Sequence, residues 1–198
     1  MKRALLFVGL LATLPATMMA QETPKAEVFG GYSSLRVDGG GNLHGWNASV
    51  AANLNRWFGI ATDFSGHYGS ESARASLPGV GFFRVDADAN SHSFAAGPVF
   101  SYRKNEGITP FAHVLIGVAR VHVRASADVS VPGGTEHVEL SASDTGFVAV
   151  FGGGLDVKLS KRLALRTVQA DYALSRLGGF TQNNFRLSAG LVFRFGST

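Results

Sequence analysis

Trp46-Asn47-Ala48-Ser49-Val50-Ala51-Ala52-Asn53-Leu54-Asn55 is the stretch on which the reading of this chain turns. Trp46, Ala48, Val50, Ala52 and Leu54 fall on one side of a two-residue repeat, and Asn47, Ser49, Ala51, Asn53 and Asn55 on the other. Side chains alternate along a strand, so this spacing writes one apolar face and one mostly polar face. The pattern recurs outward from there. Phe58, Ile60, Phe64 and Tyr68 share a face against Gly59, Ala61, Asp63, Ser65 and His67. Phe94, Ala96, Pro98, Phe100 and Tyr102 make another, as do Phe147, Ala149, Phe151, Leu155 and Val157. At the end, Phe185, Leu187, Ala189, Leu191, Phe193 and Phe195 oppose Asn184, Arg186, Ser188, Gly190 and Arg194. Less regular segments at Glu27–Val37, Thr109–Arg124 and Leu163–Leu174 bring the predicted strands to eight.

The connections alternate in length. Asn55–Trp57, Arg103–Ile108 and Leu159–Arg162 are short; Asp38–Gly45, Gly69–Ser91, Ala125–Asp144 and Ser175–Asn183 are longer. Short turns on one side and long loops on the other suit a barrel in the bacterial outer membrane, as does an even strand count. Leu77-Pro78-Gly79 and Pro132-Gly133-Gly134 are turn sequences at the centres of two long connections, which predicts projecting hairpins there.

Composition bounds the alternatives. Of 198 residues, 16% are charged, 25 are Gly, 15 are Phe and none is Cys. The absence of Cys excludes disulfides and thiolate metal sites. At the N-terminus, Lys2 and Arg3 precede the apolar run Ala4–Leu14, Pro15 and the small residue Ala20. The run is too short to span a bilayer as a helix, and the layout is that of an export signal cleaved after Ala20, so residues 21–198 are the expected mature domain. Removing Lys2 and Arg3 leaves 16 basic against 14 acidic residues. That balance supplies no basic surface for nucleic acid.

A soluble lipocalin-like barrel also has eight antiparallel strands, but its apolar face points inward. Here the apolar face carries Trp46, Tyr68, Tyr102 and Tyr172 near strand ends, as an interfacial girdle would. The polar face carries Gly, Ser and Asn with a few ionisable residues. A barrel this narrow holds little more than side chains, so no ligand pocket is expected.

The last strand, Ser188-Ala189-Gly190-Leu191-Val192-Phe193-Arg194-Phe195, resembles the terminal signal of outer-membrane barrels, with Gly190, Phe193 and Phe195 as its marker positions. With the export signal and eight strands, the chain resembles the small OmpA/OmpX-like outer-membrane barrel family along nearly all its length. The resemblance implies an all-β, eight-stranded antiparallel up-and-down transmembrane β-barrel in the bacterial outer membrane. It implies a monomer without cofactor, with outer-membrane lipids, the secretion pathway and the barrel assembly machinery as partners. One departure is visible: Gly196-Ser197-Thr198 follow the last aromatic, where the family usually ends on it. Because the chain stops there, no following peptidoglycan-binding domain is expected.

Charges on the polar face call for partners. Arg166 and Asp171 are an odd number of residues apart, so a one-residue bulge near Thr167-Val168 is needed to turn Arg166, Gln169 and Asp171 all inward. Lipid-facing Arg near the midplane costs about 2–4 kcal/mol, which favours the bulge. Arg186 on the neighbouring strand then pairs with Asp171, and Asp63 and Glu27 extend the predicted lumen cluster. Catalytic patterns are weak. Ser65 and His67 share a face, yet no third orienting residue can be named and no His-x-Ser occurs. The six His form no metal-ligand pattern, and neither Gly39–Gly41 nor Gly152–Gly154 leads into a phosphate-loop lysine. Asn47-Ala48-Ser49 matches a glycosylation acceptor in the middle of a strand and is read as chance. The expected role is structural or adhesive, through long hairpins carrying Arg74, Arg84, Arg120, Arg124, Asp86 and Asp88 toward a host surface or other extracellular ligand. A narrow passive channel is the alternative, and a lipid-modifying enzyme a weaker third.

Overall fold

Two-residue patterning needs partner strands on both edges of every strand, and a closed ring supplies them without leaving an exposed edge. The computed structural model describes residues 23–39, 41–77, 81–105, 107–131 and 134–196. Its eight strands are β1 (Ala26–Arg36), β2 (Asn42–Asn53), β3 (Phe58–Leu77), β4 (Gly81–Ser101), β5 (Ile108–Val131), β6 (Gly134–Lys158), β7 (Leu163–Leu177) and β8 (Phe180–Phe195). Each pairs antiparallel with the next. β1 closes on β8 with Glu27 opposite Arg194 and Gly31 opposite Gly190. The export-signal reading lies outside the described residues, as do Pro78, Gly79, Pro132 and Gly133 at the hairpin centres.

The apolar faces point outward. Val50, Ile60, Phe94, Phe151, Leu187 and Phe193 are all exposed, whereas Asn47, Asp63, Gln169, Asp171 and Arg186 are buried inside. From Phe58 to Tyr68 the outward face spans eleven residues, the length a tilted strand needs to cross a bilayer. Aromatic side chains bound this belt. At the end where the chain termini lie, Trp57 stacks on Phe100 with ring centroids 6.1 Å apart, and Tyr102 follows Phe100 two residues on. At the other end, Tyr68 Oη and His92 Nε2 are 3.0 Å apart, Tyr172 Oη donates to Asn183 Oδ1 at 2.6 Å, and Tyr32 bonds to His44. A phenol with its ring among lipid tails and its hydroxyl on a polar neighbour is suited to the interface.

Beyond that second girdle the polarity of the sheet inverts. The outward side of β4 changes from Phe94 to His92, Asn90, Asp88 and Asp86, while its inward side becomes Ala89, Ala87 and Val85. The same exchange occurs on β5, where Arg124 and Asp128 lie outward and Val123 and Ala125 inward. Here β3 to β6 continue as a four-stranded sheet with unbroken pairing, such as Ser70–Asp88, Asp88–Arg124 and Arg124–Ser141. About ten residues per strand project, on the order of 30 Å along the strand. The expected hairpins are therefore continuations of the barrel wall.

Three expectations are corrected. The Asp38–Gly45 loop is shorter, since β2 already begins at Asn42 and Leu43 pairs with Leu35. The Ser175–Asn183 loop is only a turn at Gly178-Gly179 between the paired Leu177 and Phe180. Both glycines have positive φ (56° and 83°), as a two-residue hairpin turn demands. Polar inward residues such as Ser175 and Asn184 had disguised these strand ends. The third correction concerns the lumen. The half nearer the projecting sheet holds a cavity of about 240 Å³, because the inward residues there include Ala119, Ala173, Ser65, Ser91 and Ser93, too small to meet across the barrel.

Candidate functional site

Inside the wall, the described residues include four buried carboxylates (Glu27, Asp63, Asp156, Asp171) and four buried arginines (Arg103, Arg166, Arg186, Arg194). Unpaired charge in such an interior costs several kcal/mol per ion, so the question is how these eight divide. They form two layers.

The first layer lies near the chain termini. Glu27 Oε1 accepts from Arg194 Nε at 3.0 Å, and Arg103 grips both carboxylate oxygens. Asn53 Nδ2 adds a bond of 3.0 Å to Glu27 Oε2. Glu27 and Arg194 face one another across the β1–β8 seam, while Arg103 reaches in from the turn after β4.

The second layer crosses the middle of the barrel. Arg186 Nη1 lies 2.8 Å from Asp63 Oδ1, and its Nε lies 2.9 Å from Asp171 Oδ2. Asp171 also binds His113 Nε2 at 2.9 Å and Gln169 Nε2 at 2.7 Å. Gln169 Oε1 takes a bond of 2.7 Å from Arg166, whose fork closes on Asp156 at 2.8 and 3.1 Å. Asn47 Nδ2 completes the coordination of Asp63 at 2.8 Å. The Arg166 guanidinium is held between two rings, 4.4 Å from the centroid of Phe29 and 4.1 Å from that of Phe111. A planar cation between aromatic faces gains electrostatic attraction on both sides.

The placement of the sequence-derived residues follows from this. Asp63, Arg166, Gln169, Asp171 and Arg186 stand in one connected network; Glu27 stands apart, with Arg103 and Arg194, because the seam register sets it opposite Arg194 rather than Arg186. Arg166 reaches Asp171 only through Gln169. The bulge sits at Thr167-Val168: both residues face outward, and the register with β8 shifts between Arg166 and Gln169. Gly152 serves the network as well. It pairs with Asp171, and a Cβ there would come 2.0 Å from Asp171 Oδ1. Phe193 and Phe195 are exposed on the lipid side, and Gly190 pairs with Gly31 at the seam.

Sequence reasoning missed Asp156, Arg194, Arg103 and His113 as network members. Asp156 and Arg194 were legible, since each alternates onto the polar face of its strand. Arg103 was not, because it comes from a turn. Ser65 and His67 do not bond to each other: Ser65 Oγ lies 2.7 Å from Ser93 Oγ, and His67 Nε2 lies 2.8 Å from Ser33 Oγ. Between the two layers remains a cavity of about 30 Å³, bordered by Glu27, Asp63, His113 and Asp156 and sufficient for water alone.

The second candidate surface is the projecting sheet. Its outward face carries ion pairs between strands, Arg124–Glu139 at 3.0 Å and His137–Asp128 at 2.6 Å, and Arg84–Asp86 at 2.7 Å within β4. The hydrogen bond and charge of Asp128 raise the pKa of His137 above its usual value.

Residues 4–193 match the family described as outer membrane protein beta-barrel domain. The chain belongs to that family. This outer-membrane barrel is also similar to solved structures. Ail, the attachment invasion locus protein of Yersinia pestis, is 25% identical, with 86% of this chain and 99% of that one covered and a TM-score of 0.50. A second structure of Ail, in complex with the heparin analogue sucrose octasulfate, is 24% identical over 85% of this chain and 97% of that one, with a TM-score of 0.51. The N-terminal β-barrel domain of Pseudomonas aeruginosa OprF is 14% identical over 88% of this chain and 100% of that one, at a TM-score of 0.42. Comparison with curated proteins gave no match. The family places the chain in the outer membrane, with its belt against lipid and its short turns toward the periplasm.

Proposed function

We propose that the barrel is an anchor for the projecting sheet, and that the sheet makes contact with a host, matrix or neighbouring-cell surface. The observation that carries this reading is the continuation of β3 to β6 beyond the girdle, with charged side chains on the outward face and strand pairing maintained throughout. Paired strands hold those side chains in fixed positions, which lowers the entropic cost of binding relative to a flexible loop. Similarity to Ail, an attachment invasion locus protein, lends the reading support. A passive channel is less well supported, because two ionic layers cross the lumen and leave a water-sized cavity between them.

The test uses the registers above. Joining Ser70 to Asp88 and Arg124 to Ser141 by two-residue turns removes both hairpin extensions at the same level and leaves the barrel below Tyr68 intact. Cells carrying the shortened protein are expected to lose adherence to host-cell or matrix-coated surfaces. Equal adherence at equal surface abundance would refute the role.

A further inference from the structure

The extracellular half of the lumen holds a cup that the adhesive reading does not use. Its volume is about 240 Å³. Its walls are mainly apolar, formed by Leu35, Leu43, Val121, Val148, Val150 and Leu177 with Ser and amide side chains between them. The middle charge layer supplies its floor, through Arg186 and the nearby His67. Leu35 and Leu43 stand beside a short β1–β2 connection and Leu177 beside the β7–β8 turn, whereas the β3–β6 wall rises about ten residues higher. The mouth is therefore oblique. The high wall continues the apolar lining, since Val85, Ala127 and Val138 align across β4, β5 and β6 on the inward side, and Ala87, Ala125 and Leu140 do so in the next such row. Val85, Val138 and Leu140 are exposed. An apolar track thus runs from the projecting sheet down into the cup.

The floor sets the chemistry of the occupant. Arg186 is shared by two carboxylates, Asp63 and Asp171, so this group carries excess negative charge and disfavours an anion. Of the polar groups that line the cup, which include Ser91, Gln182 and Asn184, His67 is the one beside Arg186 that offers a ring nitrogen. His67 is 1% exposed, and its Nδ1 has no partner among the described residues. Ser188 donates to Ser33, and Ser33 lies on His67 Nε2. The assignment that uses every hydrogen sends the Ser33 proton to Nε2 and leaves a proton on Nδ1. Nδ1 is then a donor without a protein acceptor among the described residues, a place a ligand oxygen can fill.

We propose that the cup binds a small, neutral, mainly apolar molecule with one hydrogen-bond-accepting oxygen, received by His67 at the floor. A cavity of about 150 Å³ accommodates benzene, so this one suits about ten non-hydrogen atoms. 1-Indanone, a neutral bicyclic ketone of that size, is the probe.

The experiment follows ¹³C-methyl NMR of the whole barrel in lipid nanodiscs. Saturable shifts are expected at the methyls of Leu35, Leu43, Val121, Val148, Val150 and Leu177. The lipid-facing methyls of Val50, Leu187 and Leu191 should change only in proportion to added probe, as partitioning into lipid requires. Indane-1-carboxylate should leave the lumen methyls unmoved. His67→Leu should weaken 1-indanone by about five-fold, the worth of one hydrogen bond, and leave oxygen-free indane unchanged. Ala173→Phe should abolish binding by filling the cup; should that barrel not fold, Ala119→Leu fills it from β5, two strands away round the wall. Lumen methyls that do not saturate overturn the proposal, as do shifts confined to Val138 and Leu140, equal binding of the anion, or binding unaffected by both filling variants.

Discussion

Asp171→Asn tests whether the middle layer is a coupled electrostatic unit. Asp171 is fully buried and holds His113, Gln169 and Arg186. Across both layers the buried carboxylates and arginines balance four against four, but the middle layer sets Asp63, Asp156 and Asp171 against Arg166 and Arg186. The substitution makes that layer one unit more positive and takes from Arg186 one of its two counter-ions. Breaking a buried pair by removing one partner costs about 3–5 kcal/mol. Two features lower that figure here. Arg186 retains Asp63 at 2.8 Å, and the asparagine keeps one acceptor oxygen for the donors that converge on Oδ2. The expected loss is therefore about 2–3 kcal/mol, below the full cost of a broken pair. Arg186→Gln alone errs in the other direction, leaving Asp63 and Asp171 in excess. The double variant returns the layer to its native net charge, so its loss should fall short of the sum of the singles by about 1–2 kcal/mol. Denaturant unfolding in lipid vesicles, followed by the emission of Trp46 and Trp57, measures all four corners of the cycle. A coupling within about 0.5 kcal/mol of zero would refute the reasoning, since that is the scatter expected of independent sites.

The remaining predictions concern the surface, the wall and the export signal. Val50→Arg and Ile60→Arg should each cost about 2–4 kcal/mol near the midplane, whereas Ser49→Asn, on the lumen side, should be mild; equal tolerance of Arg on both faces in the same unfolding assay would contradict the register. Gly152→Ala should destabilise the barrel by about 1–3 kcal/mol, as overpacking does, because its Cβ would enter the Asp171 carboxylate. Gly30→Ala, with nothing within 4 Å of the added carbon, is the control expected to be tolerated. His137 has a raised pKa in the folded hairpin, so its pairing with Asp128 contributes fully below the ordinary value of 6.5 and fades as pH rises through the raised one. Hydrogen exchange at the β5–β6 extension, corrected for intrinsic rate, should accelerate with rising pH over that window, and Asp128→Asn should remove the dependence. Mass spectrometry of the membrane-extracted protein should find Gln21 as its first residue; a full-length species would refute cleavage after Ala20.

The sequence and the structure agree wherever a contact is local or shared between paired neighbours. Alternation alone placed Val50, Ile60 and Phe193 against lipid and Asp63 and Arg186 inside. The odd spacing of Arg166 and Asp171 required a bulge, and Thr167-Val168 provides it. Legibility failed where polar residues face inward near a strand end. Ser175 and Asn184 resemble loop composition, yet Asn184 Nδ2 donates to Ser175 Oγ at 3.3 Å across paired strands. It failed again at Arg103, whose turn position gives no sign that its side chain enters the lumen.

What the sequence by itself determined is the wall: eight strands, the outward apolar belt, the aromatic boundaries and the two long hairpins. Each follows from a repeat of two residues and from turn chemistry, both of which act over a few positions. What only the tertiary structure decided is what meets what across the lumen. Asp63 of β3 meets Arg186 of β8, Phe29 and Phe111 enclose Arg166, and Glu27 joins Arg103 rather than Asp171. These partners are far apart in the chain, and their heights match only once the stagger of a closed barrel is set. The same stagger brings Ala119, Ala173 and Ser91 to one level and opens the cup. Alternation specifies which side of the wall a residue occupies; the height at which it meets the far wall is a property of closure.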